Sequence, residues 1–403
     1  MAGGPFVDHH CHSLVAGWQR VGGGPWPAWR RCFTEATRPA SLAADVPDLL
    51  GYRHFLAALA ALLGGDMGPE EDLERRVVAG RDELAAADPG GYLRRLLDGA
   101  GTAALLVDTG FGDETLEVAE LAAAAGRPVY PIVRLETVAE QVLGAGGPPA
   151  RSLARFADEV ERRLAQALDG GAVAVKSVAA YRGGLRLADP GPAERRRAFA
   201  GMDRAGQAAR FDDPVLEPFL VRRAAELAAA RQVPLQFHTG FGDEDVDLPL
   251  ADPSLLRPLL RDPRTQDCPV VLLHCYPFVG QAAYLAGTYP QVWMDLSLAL
   301  PLAEPSAAAL VREALGLCPV GKLLAASDGH SYPEMHWWGA IVWRRALDRV
   351  LGDEVGAGGL DQAAADAMAG RVLAGNAARL YRLEGSTPGP VSAHPGVGRT
   401  PRR

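Results

Sequence analysis

Three histidines lie within four positions near the start of the chain, in the stretch FVDHHCHSLV at residues 6–15. The whole chain has only 9 His in 403 residues. Side chains along a strand alternate between its two sides, so His10 and His12 point to one side and His9 to the other. Two neutral imidazoles spaced in this way can bind one divalent cation. The spacing predicts a metal site at His10 and His12 and a structural role for His9.

Further ligand-type side chains stand at the ends of later apolar runs. Each of them follows several apolar residues, where packing alone does not call for a polar side chain. They are Lys176 in AVAVKSV, His238 in PLQFHTG, His274 in PVVLLHC and Asp328 in KLLAASDGH. A buried histidine bonded to backbone groups explains any one histidine, but it does not explain the set. The set predicts a metal centre.

Eight short β-type runs, separated by segments of helical periodicity, carry these residues. The runs are nearly continuous in apolar residues, as expected for parallel strands buried on both faces. They are PFVDHH, AALLVDTG, PVYPIVRLE, AVAVKSV, PLQFHTG, PVVLLHC, QVWMDLSL and KLLAASDGH. This alternation predicts an α/β fold, a (β/α)8 TIM barrel, with its active site at the carboxyl ends of the strands. A doubly wound open sheet is the alternative, but no G-x-G-x-x-G follows the first run.

The expected organisation is a single barrel over residues 1–385. The stretch at about 14–100 is longer than one crossover helix needs, which predicts a helical insertion after the first strand that covers the mouth of the barrel. Helices packed only on the outside are the alternative. Residues 386–403 are rich in Pro, Gly and Ser and are predicted to be a disordered tail.

The composition limits the classes of binding partner and the cellular compartment that we expect for the protein. The formal net charge of −8 argues against nucleic acid and against an anionic membrane as partners. No apolar run reaches the roughly 18 residues that span a bilayer, and the first residues do not resemble a secretory signal. The 5 Cys have no regular spacing, which favours a reduced, cytoplasmic protein. The expected partner is a small-molecule substrate, and a homo-oligomer is compatible with the sequence.

Together, the motifs resemble the amidohydrolase superfamily of metal-dependent hydrolases. The resemblance rests on Asp8-x-His10-x-His12 and on the Lys, His, His and Asp at the later strand ends. The stretches VKSVAAYRGGL, QFHTGFGD, HCYPF, MDLSLALP and ASDGHSYPE are similar to the amidohydrolase-like module that some fungal and plant proteins carry fused to a glutamine-synthetase domain. The similarity extends from about residue 6 to about residue 384.

The resemblance implies a centre of two divalent cations. The two histidines of the first strand and Asp328 would bind one cation, and His238 and His274 the other. Lys176 would bridge them as a carbamate formed with CO2, because a free ammonium would be repelled by two dications. Only 2 of the 41 basic residues are Lys, which favours a role for Lys176 that Arg cannot fill. An unmodified Lys176 beside a single cation is the other arrangement left open. Zinc is the metal most typical of the family, with iron or manganese as alternatives.

The implied reaction is hydrolysis of an amide, ester or thioester bond. Metal-bound water loses a proton at neutral pH and the hydroxide attacks a carbonyl polarised by the metal. Asp328 would take the proton and deliver it to the leaving group, with His330 as a second catalytic residue. Asp8 and Ser327 are expected to orient the ligating imidazoles. A non-hydrolytic lyase, such as a decarboxylase, and a non-catalytic module are the alternatives.

Loop residues near the strand ends are candidates for contact with the substrate. An Arg in such a loop can meet a carboxylate or phosphate, although an ordinary surface position is equally consistent with the sequence. The candidates are Tyr181, Arg182, Asp243 and Tyr276.

Overall fold

The computed structural model describes residues 3–36, 43–64, 72–112, 114–147, 152–202 and 210–383. Seven parallel strands form one curled sheet in which each strand pairs with the next along the chain. The strands are β1 Phe6–Cys11, β2 Thr102–Asp108, β3 Val129–Arg134, β4 Ala174–Ser177, β5 Leu235–Thr239, β6 Val270–His274 and β7 Val292–Met294. The fold is α/β and resembles a TIM barrel. The predicted tail at 386–403 lies outside the described residues.

The eighth predicted run does not form a regular strand, although it lies between β7 and β1. Leu324 N donates a 2.9 Å hydrogen bond to Met294 O on one side, and Asp328 N donates a 3.1 Å bond to His10 O on the other. Asp328 has a φ of 51°, outside the β region, so the extended backbone is interrupted there. The count of seven strands rather than eight reflects this irregular backbone.

Helices connect the strands and pack around the sheet. They are α1 Leu50–Leu63, α2 Leu73–Ala87, α3 Pro89–Ala100, α4 Val118–Ala125, α5 Leu135–Gly144, α6 Leu153–Asp169, α7 Pro192–Gly201, α8 Leu216–Arg231, α9 Arg257–Leu260, α10 Val279–Thr288, α11 Ala299–Leu302, α12 Ala307–Leu317, α13 Pro333–Gly356, α14 Gln362–Gly370 and α15 Asn376–Leu380. No described helix combines the length and apolar character needed to cross a membrane.

The chain between β1 and β2 contains α1, α2, α3 and a 3₁₀ helix at Ala28–Phe33. Helix α3 packs against both α13 and α4, as the helix between the first two strands of a barrel does. Helix α2 packs on α3, and α1 packs on α2. Cys32, Phe33 and Glu35 reach the cavities at the carboxyl end of the sheet. The division into one barrel unit with an insertion at 14–100 stays a prediction.

Two apolar clusters hold the sheet in place. The larger one lies between the strands and the surrounding helices. The smaller one joins side chains of several strands, including Val7, Leu106 and Leu273, to Ala377 and Tyr381 at the end of the described chain. Tyr381 is therefore packed among strand side chains, and this position matters for the site described below.

Candidate metal centre

A cavity of about 210 Å³ lies at the carboxyl ends of the strands. Its walls come from residues within or just after the carboxyl ends of the seven strands and from the irregular eighth segment. His274 and Asp328 have φ values of 69° and 51°, which are uncommon for residues other than glycine. The left-handed backbone turns the chain directly after each strand position. The predicted residues that line the cavity include His12, Lys176, His238, His274, Asp328 and His330.

Imidazole nitrogens and carboxylate oxygens converge beside this cavity. Asp328 Oδ1 lies 3.3 Å from Nε2 of His10 and 3.3 Å from Nε2 of His12. This oxygen is buried and has no hydrogen-bond partner within the described residues. The ligand atoms of His10, His274 and Asp328 lie within 4.8 Å of one another, as do those of His10, His12 and Asp108. Such a donor set suits a divalent transition metal, and the unpartnered oxygen fits a cation as its missing partner.

Burial favours the neutral form of three of the imidazoles, those of His10, His238 and His274, and metal ligation requires that form. Burial, followed by the charge of Lys176, lowers the pKa of His10 to about 4. Burial also lowers the pKa values of His238 and His274 well below the usual histidine range. For Asp328, burial would raise the pKa, but His274 and the contacts of the first-strand histidines hold it well below the usual range. The site therefore combines neutral imidazoles with an ionised carboxylate.

Lys176 is the penultimate residue of β4 and is 2 % exposed, with Nζ 3.2 Å from Nε2 of His10. Burial lowers its pKa to about 8, because the interior disfavours the charged ammonium. The neutral amine is the form that reacts with CO2. The position and the pKa of Lys176 are thus compatible with a carbamate, and its bridging role stays a prediction.

His238 also lines the cavity, with its ring centroid 4.5 Å from that of His274. Its Nε2 lies 3.0 Å from the carbonyl oxygen of Phe241. In the described part of the chain, His238 belongs to neither of the two groups of His and Asp ligand atoms. The assignment of His238 and His274 to a second cation, with Lys176 as the bridge, stays a prediction.

The groups that orient the ligating imidazoles differ from those expected. Asp8 and Ser327 bond to each other, with the Ser327 amide and hydroxyl both donating to the Asp8 carboxylate. The partner of His10 Nδ1 is instead Gln236 Oε1, at 2.9 Å, and the partner of His274 Nδ1 is Ser297 Oγ, at 2.7 Å. The expectation that Asp8 and Ser327 orient the ligating imidazoles was wrong, because these two residues hydrogen-bond to each other instead.

Tyr181, Arg182 and Asp243 line the cavity. Tyr276 is 38 % exposed and does not belong to the cavity wall. Its carbonyl oxygen accepts a 2.8 Å hydrogen bond from Phe241 N. The substrate-binding role of these residues stays a prediction.

His330 lines the cavity near Asp328. Its Nδ1 lies 2.9 Å from the hydroxyl of Ser331, and burial lowers its pKa to about 4. A neutral imidazole can accept a proton at this position or bind a substrate group. Its catalytic role stays a prediction.

The sequence-based prediction missed several polar residues of the site, among them Asp108, Arg134 and Glu35. Asp108 ends β2 and Arg134 ends β3, with Arg134 Nη2 and Asp108 Oδ2 2.6 Å apart, and Arg134 lines the cavity. The runs AALLVDTG and PVYPIVRLE carry these charged residues at strand ends, so the rule that found the ligands applied here as well. Glu35 also lines the cavity. Burial, with Asp328 and Asp243 nearby, raises its pKa to about 7. Glu35 follows no apolar run, so the sequence carries no signal for it.

A family model described as "Amidohydrolase" matches residues 7–383. The chain belongs to the amidohydrolase family. This amidohydrolase is 30% identical over 415 residues to Protein fluG of Emericella nidulans, a match that covers 95% of the chain and 46% of that protein. It therefore spans about half the length of the curated relative. The predicted resemblance is confirmed.

Solved structures similar to this amidohydrolase include a Lactobacillus casei protein proposed to be a metal-dependent hydrolase. That structure has a TM-score of 0.80 and 30% identity, and the match covers 94% of this chain and 96% of that one. Uronate isomerases from Thermotoga maritima and Bacillus halodurans give TM-scores of 0.65 and 0.60 at 15% and 12% identity, each covering 94% of both chains. At such identities the likeness shows the fold alone. The family and the Lactobacillus casei relative support an enzyme that binds divalent metal.

Proposed function

We propose that this amidohydrolase is a metal-dependent hydrolase that cleaves an amide, ester or thioester bond of a small molecule. The carrying observation is the buried Oδ1 of Asp328, which lies 3.3 Å from Nε2 of both His10 and His12 without a hydrogen bond. A buried carboxylate oxygen without a partner costs stability unless something else pairs with it. A divalent cation between these atoms would supply that partner.

The proposed centre holds two cations. His10, His12 and Asp328 would hold one of them and His238 and His274 the other, and Lys176, as a carbamate, would be a ligand that both share. Zinc is the expected metal, with iron or manganese as alternatives. When bound, divalent cations lower the pKa of a water molecule and polarise a carbonyl oxygen.

The side chains of the cavity divide the remaining work. The carboxylate of Asp328 accepts a proton from the attacking water and delivers it to the leaving group. His330 stands beside it as a second proton-transfer or substrate-binding group. Tyr181, Arg182 and Asp243 hold the substrate from the outer wall. The small volume of the cavity limits bulk water around the reacting bond and favours a small-molecule substrate.

The test is metal analysis of protein purified without added metal, followed by a substrate panel of amides, esters and thioesters. His10→Ala and His274→Ala should lose metal and turnover and keep the fold. His54→Ala is the matched control, because His54 lies on α1 and pairs with Glu304 at a half-exposed site. Unchanged metal content in both ligand variants would overturn the metal centre.

The same panel should include uronates and carboxylic acids. Isomerisation or decarboxylation without hydrolysis would show that the protein catalyses a different reaction from the one proposed. A cytoplasmic location and assembly into a homo-oligomer stay predictions.

A further inference from the structure

We propose that one buried hydrogen-bonded network beneath the metal centre positions both His10 and His274 as metal ligands. The proposal rests on the proposed metal centre and assigns positioning residues to it. We call this set the inner network. All its members are at most 5 % exposed, and they are His9, Gln236, Asp295, Ser297 and Tyr381.

The first half of the inner network orients His10. Gln236 Oε1 lies 2.9 Å from His10 Nδ1, and Gln236 Nε2 donates to the hydroxyl of Tyr381 at 2.8 Å and to the carbonyl of His9 at 3.2 Å. Two acceptors on the Nε2 side fix which way the amide faces. The amide oxygen therefore faces His10, so His10 carries its hydrogen on Nδ1 and keeps a lone pair on Nε2 for a metal.

Tyr381 continues the chain of hydrogen bonds from Gln236 to His9 with the same donor-to-acceptor direction. Its hydroxyl accepts from Gln236, so its own hydrogen is free to be donated to His9 Nδ1, 3.1 Å away. His9 then carries its hydrogen on Nε2, which lies 2.9 Å from Asp295 Oδ2. Neither of these two atoms has a hydrogen-bond partner within the described residues, but the distance brings the imidazole against a carboxylate.

The second half orients His274 on the same carboxylate. Asp295 Oδ1 accepts from the His274 amide at 2.6 Å and from the Ser297 hydroxyl at 3.1 Å. A Ser297 hydroxyl that donates to Asp295 can only accept from His274 Nδ1, 2.7 Å away. The backbone amide of Leu298 also donates to that nitrogen, at 3.3 Å, a longer and weaker contact than the 2.7 Å one with Ser297. The shorter contact assigns the hydrogen to His274 Nδ1, which leaves Nε2 with the lone pair.

Polar contacts from both ligand histidines therefore lead to one carboxylate, Asp295, and the last contact on the His10 side is the 2.9 Å approach of His9 Nε2 to Asp295 Oδ2. The path from His10 depends on the Tyr381 hydroxyl, because it is the nearer of the two acceptors that fix the Gln236 amide, at 2.8 Å against 3.2 Å for the His9 carbonyl. Without that hydroxyl, only the longer contact holds the amide, so it turns more readily and presents Nε2–H to His10 Nδ1, which favours the tautomer that cannot bind metal through Nε2. The role of Tyr381 is to set a tautomer, and packing alone would not need its hydroxyl.

The experiment measures Zn²⁺ affinity of the metal-free, full-length protein by competition with a chromogenic chelator, and stability by urea unfolding. Tyr381→Phe and Gln236→Leu should weaken Zn²⁺ binding roughly 10- to 100-fold, as losses of orienting partners do. Tyr92→Phe is the matched control. Tyr92 is 4 % exposed and its hydroxyl donates to Glu334 at 2.8 Å, away from the inner network. It should lose stability but keep Zn²⁺ affinity.

Asp295→Asn keeps the shape of the side chain and serves if Tyr381→Phe does not fold. It should weaken binding at both ligand histidines, whereas Gln236→Leu should act mainly at His10. Wild-type affinity in Tyr381→Phe and Gln236→Leu, or in Asp295→Asn, would overturn the positioning role. Absence of Zn²⁺ binding in the wild type would instead overturn the proposed metal centre, so the two failures are distinguishable.

Discussion

Lys176 Nζ lies 3.2 Å from Nε2 of His10, and both side chains are buried. The Nδ1 side of His10 faces Gln236, so the Nε2 lone pair is what the lysine meets. A cation bound by His10 needs the same lone pair. An ammonium and a cation are therefore alternatives at this nitrogen, and conversion of Lys176 to a carbamate would remove the conflict.

The first prediction is that Lys176 carries one CO2 in the metal-loaded protein. Native mass spectrometry should show the added mass, and acid should remove it. Lys176→Ala should reduce bound metal from two ions toward one, because the bridge holds both, and added short carboxylates should restore part of the lost occupancy.

Two variants control this experiment. Lys322→Ala removes the other lysine, whose Nζ donates to the carbonyl oxygens of Ala286 and Tyr289, and it should leave metal content unchanged. Lys176→Arg should not restore two ions, since a guanidinium stays charged and cannot form a carbamate. Two ions and full activity in Lys176→Arg would assign the bridge to another group.

The second prediction concerns the buried pair of Asp108 and Arg134. Nε and Nη2 of Arg134 both reach Asp108 Oδ2, at 3.1 and 2.6 Å. Asp108→Ala should lower the free energy of unfolding of the metal-free protein by about 3–5 kcal/mol, because it leaves a buried guanidinium without its partner. Urea unfolding measures the change.

The double variant Asp108→Ala/Arg134→Met should recover much of that loss, since no buried charge remains unpaired. The half-exposed pair of Arg312 and Asp353 is the control, and Asp353→Ala should cost less than about 1 kcal/mol. Equal losses in the single and the double variant would mean that packing, and not charge pairing, sets the effect.

The convergence of His10, His274 and Asp328 was predictable from the sequence because of where a parallel strand ends. His274 and Asp328 follow apolar runs, and the carboxyl ends of neighbouring strands meet at one edge of the sheet. The eighth strand was only partly predictable. Its apolar run is clear in KLLAASDGH, but the left-handed backbone at Asp328 depends on the closing contact with β1.

The inner network could not be predicted from the sequence. Gln236 and Tyr381 are 145 positions apart, and no local pattern marks a pair at that separation. His9 was expected to be structural, and its contact with Asp295 depends on how β1 and β7 curl toward each other. Such pairings are set by the closure of the sheet, which periodicity along one strand does not encode.

The third prediction is a pH dependence of stability caused by Glu217. Burial, and then the neighbouring Glu136 carboxylate, raise the pKa of Glu217 well above its usual value, and neither oxygen has a hydrogen-bond partner within the described residues. The folded protein therefore holds a proton that the unfolded chain releases above pH 4.5. The free energy of unfolding should fall as pH rises above that value, by at most about 1.4 kcal/mol per pH unit for one proton.

Glu217→Gln keeps the shape and removes the titration. Urea unfolding between pH 5 and pH 8 should show a flatter pH dependence and a higher stability than the wild type at pH 8. Glu226→Gln, on the same helix with a side chain 43 % exposed, is the control and should keep the wild-type slope. A wild-type slope in Glu217→Gln would assign the dependence to another group.

The last prediction concerns Glu35, which lines the cavity. Unlike the predicted ligands, which lie at strand ends, Glu35 belongs to the connection between β1 and β2. Within the described ranges it forms no hydrogen bond or ion pair, and burial raises its pKa to about 7, with Asp328 and Asp243 adding to the shift. A carboxyl group in this position in the cavity can meet a donor group of the substrate. Glu35→Gln should therefore lower kcat/KM roughly 10- to 100-fold, the effect of losing one hydrogen bond to a charged group. Bound metal should stay at the wild-type level, because Glu35 belongs to neither ligand group.

The measurement is steady-state kinetics on the substrate found in the panel, with metal analysis of the same samples. Wild-type kcat/KM in Glu35→Gln would show that Glu35 meets no substrate group, and a loss of metal would place it in the metal centre instead.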